Sequence, residues 1–208
     1  MLKIAYHPIY KHPLPEGHRF PMMKYELLPQ QLIHEGTCTE SNFFEPEIPN
    51  DKHIVAVHDP EYFYDLLNMM ISAKMSRKIA DGTLKGCDFA LQYGISMNIA
   101  GGTHHAYSNH GEAFCMLNDQ SIGAKYLLNK GLAKKILIVD LDVHQGNGTA
   151  EIFQNDTSVF TFSMHGEANY PFKKEQSDLD ISLPKGTDDK SYLSILKENL
   201  PKLIDTVQ

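Results

Sequence analysis

Residues 136–139 read Ile-Leu-Ile-Val, and the next five read Asp-Leu-Asp-Val-His. Four successive apolar side chains leave no face for solvent. Such a run fits a short strand covered on both faces, the strand type of parallel sheets. A parallel strand needs a crossover of a dozen or more residues before its neighbour, usually a helix. The rest of the chain supplies that alternation. Residues 2–6 read as an opening strand and 7–21, with four prolines, as an ordered loop. Residues 22–35 read as a helix despite Pro29. A second helix is expected over 60–71, with Asp59 as N-cap and Pro60 in the first turn. The polar stretch 72–82 reads as an exposed connection, and 83–93 as a helix ending at Gly94. Residues 95–100 read as a short buried strand. A helix capped by Asn118 is expected over 119–130, a short one over 148–154, a strand over 158–163 and a last helix over 188–207. This order predicts one α/β domain over residues 1–208, with a mostly parallel sheet and helices on both faces. Another strand is expected to follow the last helix.

Composition narrows the function classes. The chain has 208 residues, 42% hydrophobic and 22% charged, which suits one core-forming domain. A net charge of −7 offers no basic field for phosphates, so nucleic acid is not an expected partner. Three scattered cysteines make neither a disulfide framework nor a zinc knuckle, which points to a reduced, cytoplasmic protein. The longest apolar run, 136–139, is far too short to span a bilayer, so no membrane partner is expected.

Two segments carry chemistry, and each follows an expected strand. That is the carboxyl edge where open parallel sheets bind ligands. In the first, Asp140, Asp142 and His144 alternate with Leu141 and Val143, so in an extended chain the three polar groups share one face. Two carboxylates and an imidazole at the end of a buried strand need partners or a metal, and zinc accepts that donor set. The alternative is a turn capped by the aspartates with a satisfied histidine. The second segment is Gly101-Gly102-Thr103-His104-His105-Ala106. Adjacent imidazoles can divide acid and base roles near neutral pH, and the alternative is a surface histidine pair or a single core histidine. Cys115 is read as a small buried hydrophobe rather than a nucleophile paired to a histidine.

These segments, with Ala113-Phe-Cys-Met-Leu-Asn-Asp119, His144-Gln-Gly-Asn-Gly148 and Phe160-Thr-Phe-Ser-Met-His165, resemble the zinc-dependent histone deacetylase family. His58-Asp-Pro-Glu-Tyr62 resembles a family segment too, Gly17-His-Arg-Phe-Pro-Met22 is similar to bacterial members, and the His-Gln-Gly-Asn-Gly form resembles the class IV branch. The resemblance implies a three-layer arginase/deacetylase-like fold and an amidohydrolase that removes acetyl or other acyl groups from lysine side chains. It implies Asp142 and His144 as zinc ligands, and His104 and His105 as the catalytic pair, backed by Asp140 and Asn147. Phe114 and Phe172 match the aromatic walls of the acyl-lysine tunnel. Asp140, Asp142, His144, Ser163 and Met164 match a structural potassium site, and Phe153, Asp156 and Val159 a second one. The implied partner is an acylated-lysine protein or peptide, or a small acetylated amine.

The family adds a second aspartate ligand and an oxyanion-stabilising tyrosine, and neither motif occurs here. Asp178, Asp180, Asp188, Asp189 and Asp205 sit in no matching context. The chain therefore reads as the amino-terminal part of such a domain, with little activity expected of 208 residues alone. An arginase-like two-metal enzyme is the second reading, opposed by Gly146 where a bridging aspartate would stand. A non-catalytic binding or scaffolding module is the third.

Overall fold

The structure, a computed structural model, describes residues 1–14 and 16–207. Pro15, in the expected loop, and Gln208 lie outside the described residues. The chain runs β1 (Lys3–Ala5), α1 (Lys24–His34), β2 (Phe43–Phe44), α2 (Asp51–Ile54), α3 (Pro60–Leu67), α4 (Met70–Tyr93), β3 (Ser96–Asn98), α5 (Asp119–Asn129), β4 (Ile136–Asp140), α6 (Asn147–Phe153), β5 (Val159–Gly166), β6 (Leu179–Leu183) and α7 (Asp189–Val207). The described strands form two parallel three-stranded sheets, ordered β2-β1-β3 and β4-β5-β6.

The aliphatic run of β4 splits between two layers, as its lack of a polar face requires. Ile136 and Ile138 pack with Ala124 and Leu128 of α5 and Phe153 of α6. Leu137 and Val139 pack with Ile195, Leu196 and Leu203 of α7. Helices thus cover both faces, and the fold is a three-layer α/β sandwich. β4 pairs with β5 in register from Ile136↔Val159 to Asp140↔Ser163, which brings the polar end of the run level with Ser163.

Three expectations need correction. The helix expected over 60–71 stops at Leu67, and residues 72–82 are not an exposed connection but the first half of α4. The basic residues there hid a stripe: Ala73, Ser76, Ala80 and Leu84 recur at helical spacing and are buried. Ala73, Ala80 and Leu84 enter one core with Phe63, Leu66, Ile122 and Tyr126, while Ile79 enters another with Tyr10 and Tyr25. The strand expected to be buried over 95–100 is only Ser96–Asn98, and Ile95 and Met97 are half exposed. Among the described residues, β3 pairs with β1 alone, so its other edge has no neighbour. Finally, β4 ends at Asp140. Residues 141–144 bend away, and Asp140, Asp142 and His144 do not share one extended face.

Several sequence signals hold. Asn118 caps α5 by accepting from the Ser121 amide at 3.0 Å, and Asp59 caps α3 by accepting from Glu61 and Tyr62. Gly94 closes α4 at φ 87°, a conformation that costs glycine nothing. No described helix is long and apolar enough to cross a membrane.

Candidate active site

The loop 101–106 leaves β3 and is wired in place by buried polar groups. Asp119 Oδ1 accepts from the amides of Gly102 and Thr103 at 3.0 and 2.8 Å and from the Thr103 hydroxyl at 2.6 Å. Asn118, fully buried, donates from Nδ2 to the carbonyl of Ala106 at 3.2 Å and to the Thr149 hydroxyl at 3.0 Å. The Asn118 amide in turn donates to His58 Nε2 at 2.9 Å, while His58 Nδ1 meets the Tyr107 carbonyl at 2.9 Å. Burial pushes the His58 imidazole down to about 4, so it stays neutral and holds the loop as a hydrogen-bonding spacer. The second segment docks from the other side, with the Thr149 amide donating to the His104 carbonyl at 3.1 Å. Its contact is tight at Gly148, where any side chain would overlap the backbone of His105 and Ala106.

This wiring sets the two imidazoles against each other, with ring centroids 4.1 Å apart and planes tilted by 43°, and leaves each only 6% exposed. Their Nδ1 partners differ. His104 Nδ1 meets Asp140 Oδ2 at 2.5 Å, and His105 Nδ1 meets Asn147 Oδ1 at 2.6 Å. Burial by itself would lower the His104 pKa, but the hydrogen bond and charge of Asp140 outweigh it and the net direction is upward. His105 has no carboxylate partner. Burial and the neighbouring His104 hold it below its ordinary value.

Asp142 and His144 lie at the cavity edge, with side chains about half and two-fifths exposed. Asp142 Oδ1 accepts from the His144 amide at 2.8 Å and lies 3.0 Å from His144 Nδ1. Nitrogen and oxygen donors bind zinc at about 2.0–2.2 Å, so two atoms at that separation can share one ion. A catalytic zinc takes three protein donors. Among the described residues no group of three or more His, Cys, Asp or Glu is placed to hold a metal. The donors present do not by themselves complete a zinc site.

Of the five residues matched to the inner potassium site, Asp140 and Ser163 are paired across the sheet, and Met164 follows. The outer three also meet, since the Asp156 amide donates to the Phe153 carbonyl and the Val159 amide to the Asp156 carbonyl. There the Lys125 ammonium already pairs with the Asp156 carboxylate and lies 5.9 Å over the Phe153 ring. A resident cation thus neutralises the one acidic side chain of that triplet, which fits poorly with a second ion.

A cavity of about 720 Å³ opens beside the imidazoles and contains Phe114, Tyr170, Asp142 and His144. Phe114 packs against Phe20 and His18, with centroids 5.2 and 5.4 Å away. Phe172 does not line this cavity: it is 93% exposed, and the aromatic side chain that lines it from that segment is Tyr170. Tyr170 stands edge-on to His105, centroids 5.2 Å apart, with its hydroxyl donating to Glu112. That anchor holds the Tyr170 ring, and the chain beyond Pro171 carries Phe172 into solvent. Sequence reading also missed Gln145. It is 1% exposed, donates to the Glu175 carbonyl and Asp180 Oδ1, and accepts from the Glu175 amide, so it ties the loop to β6. Cys115 is 8% exposed and burial pushes its thiol up to about 12, so it packs rather than attacks.

Parallel strands with polar residues at their carboxyl ends, beside an aromatic cavity, place the chain among the three-layer α/β proteins that bind ligands at the sheet edge. A histone deacetylase domain matches residues 18–208. An uncharacterized protein of Picosynechococcus is 43% identical, over 99% of this chain and 73% of its own length. Histone deacetylase 2 of Arabidopsis thaliana is 26% identical, over 88% of this chain and 54% of its own. The solved HDAC homologue from Aquifex aeolicus superposes with a TM-score of 0.84 at 22% identity, covering 100% of this chain and 66% of that one. The chain belongs to the histone deacetylase family. It spans between about half and three quarters of the length of these relatives.

Proposed function

We propose that the chain carries the imidazole half of an amidohydrolase site that removes acetyl or other acyl groups from lysine side chains. The observation that supports this reading is the adjacent, buried imidazole pair with unlike Nδ1 partners. A histidine backed by a buried carboxylate is held toward its cationic form. One backed by a neutral amide stays an available base. His105 Nε2 takes a proton from a water as it attacks the amide carbonyl, then returns it to the departing lysine nitrogen. His104, oriented by Asp140, supplies positive charge where the oxyanion develops. Phe114 and Tyr170 offer flat apolar walls suited to the methylene stem of an acylated lysine.

Asp142 and His144 are the proposed zinc donors, and the backbone around Asp140, Ser163 and Met164 the proposed inner potassium shell. With two zinc donors and no oxyanion tyrosine assigned, 208 residues alone are expected to turn over slowly, since losing one oxyanion donor costs about 10²–10³ in rate. An HDAC homologue has been solved in complex with SAHA, which makes SAHA a useful probe of this cavity. Titrating an acetyl-lysine peptide, with equimolar zinc, into ¹⁵N-labelled protein is expected to move the His104, His105 and Tyr170 resonances. Any hydrolysis should vanish in His105→Ala. Unmoved site resonances, or hydrolysis that survives in His105→Ala, would refute the reading. A small acetylated amine in place of the peptide tests substrate size.

A further inference from the structure

Asn147 sits behind His105, fully buried, and its amide is saturated. Its Oδ1 faces His105 Nδ1 at 2.6 Å. Its Nδ2 donates to Glu112 Oε1 at 2.9 Å and to the Tyr107 hydroxyl oxygen at 3.0 Å. Tyr107 can accept there because its own proton goes to Glu175 Oε1, at 3.3 Å. The same Glu112 oxygen also accepts from the Tyr170 hydroxyl. Turning the Asn147 amide by a half-rotation would set its oxygen against Glu112 Oε1, two acceptors with no proton between them. It would also point an N–H donor at His105 Nδ1. An imidazole facing an amide oxygen must carry its proton on that nitrogen. One facing an amide N–H must leave it bare.

We propose that Glu112 is a positioning residue: by accepting from both Asn147 and Tyr170 at one oxygen, it fixes the amide orientation that keeps the His105 proton on Nδ1 and its Nε2 free as the base. The same bond ties the aromatic wall of the cavity to the base, so the two are set together. The inference rests on the reading of His105 as the base, and it names a residue that touches neither substrate nor the reacting atoms.

Imidazole ¹⁵N NMR on the full chain, above neutral pH and without substrate, reads the His105 tautomer directly. The wild type is expected to show a protonated-type shift at Nδ1 and a bare-type shift at Nε2. Glu112→Met removes the acceptor and is expected to collapse or exchange those two shifts. Glu112→Gln keeps an oxygen in place of Oε1 and is expected to restore the wild-type pattern. Tyr107→Phe leaves Glu112 in place and is expected to keep it too. The Nδ1–H pattern surviving in Glu112→Met overturns the proposal. So does its loss in Tyr107→Phe or in Glu112→Gln, or an Nε2–H tautomer in the wild type. The Tyr107 variant decides the matter if Glu112→Met does not fold. Because no substrate is present, site resonances that fail to move in the peptide titration count against the proposed function and leave this result intact.

Discussion

Gly148→Ala tests whether the two histidine-bearing segments are locked by direct backbone contact. A Cβ at Gly148 would lie 2.2 Å from the Ala106 carbonyl oxygen, 2.6 Å from its carbon and 2.7 Å from the His105 carbonyl carbon. Ordinary carbon contacts begin near about 3.5 Å, so the two backbones must part by roughly 1 Å. Neither can give cheaply. The Ala106 carbonyl is held by Asn118, and the Thr149 amide next to Gly148 is bonded to the His104 carbonyl. Overpacking costs about 1–3 kcal/mol and a stretched backbone hydrogen bond about 1 more. The variant should therefore lose about 3 kcal/mol, which for a chain of this size lowers Tm by roughly 6–12 °C. Urea and thermal unfolding followed by circular dichroism measure both. Gly36→Ala is the control: it meets no atom within 4 Å, and its φ of 71° predicts strain alone, about 1 kcal/mol. The reasoning fails if Gly148→Ala unfolds within about 0.5 kcal/mol of wild type, or is no worse than the control.

Three further tests address charge. The folded His58 value, about 4, lies below its unfolded value of about 6.5. Its stabilisation is present above the unfolded value and lost as pH falls toward 4, about 3 kcal/mol in all. Urea midpoints at several pH values between those limits measure this, and His58→Gln should flatten the slope. In wild type, His104 gains its partner as a cation, so that contribution is full below the unfolded value and fades as pH rises through the raised folded one. Asp140→Asn removes the main opposition to burial, leaving only the charges of Asp142 and Asp119, and should lower the His104 titration from its wild-type position, read by NMR; an unmoved titration would sink the assignment. Asp156, held down to about 2 chiefly by Lys125, stabilises above the unfolded carboxylate value and loses that stabilisation as pH falls toward 2. The pair is about a quarter exposed, so screening leaves about 1 kcal/mol. Lys125→Met should shrink the acid limb by that amount, and potassium should raise Tm more in the variant than in wild type.

The fold was legible wherever burial and polarity ran together. β4, α5 with its Asn118 cap, and α6 follow from local patterns, because apolar runs and caps act over a few residues. α4 was not legible in its first half. Lys74, Arg77 and Lys78 suggested solvent, yet Arg77 and Lys78 reach across to Asp51 and the Pro46 carbonyl while Ala73 and Ala80 go inward. Small residues carry little hydrophobic signal, though they let a helix approach its neighbours closely. The exposure of β3 was equally hidden, since a strand's burial depends on which strands pair with it.

The candidate site divides in the same way. His104, His105, Asp140 and Asn147 stand next to glycines and strand ends, and that local context marks them. What gives the two adjacent imidazoles unlike character lies elsewhere in the chain. A carboxylate 36 residues away backs one and an amide 42 residues away backs the other. That amide is itself oriented by Glu112, 35 residues from it, which no spacing rule would select. Tyr170 shows the same limit, since choosing it over Phe172 depends on which ring has a distant acceptor for its hydroxyl. Adjacent histidines diverge because one borrows its electrostatics from the end of β4 and the other from the start of α6. A change at Glu112 should therefore reach His105 without touching it, whereas a change at Asp140 should reach His104 first and His105 only through the charge on its neighbour.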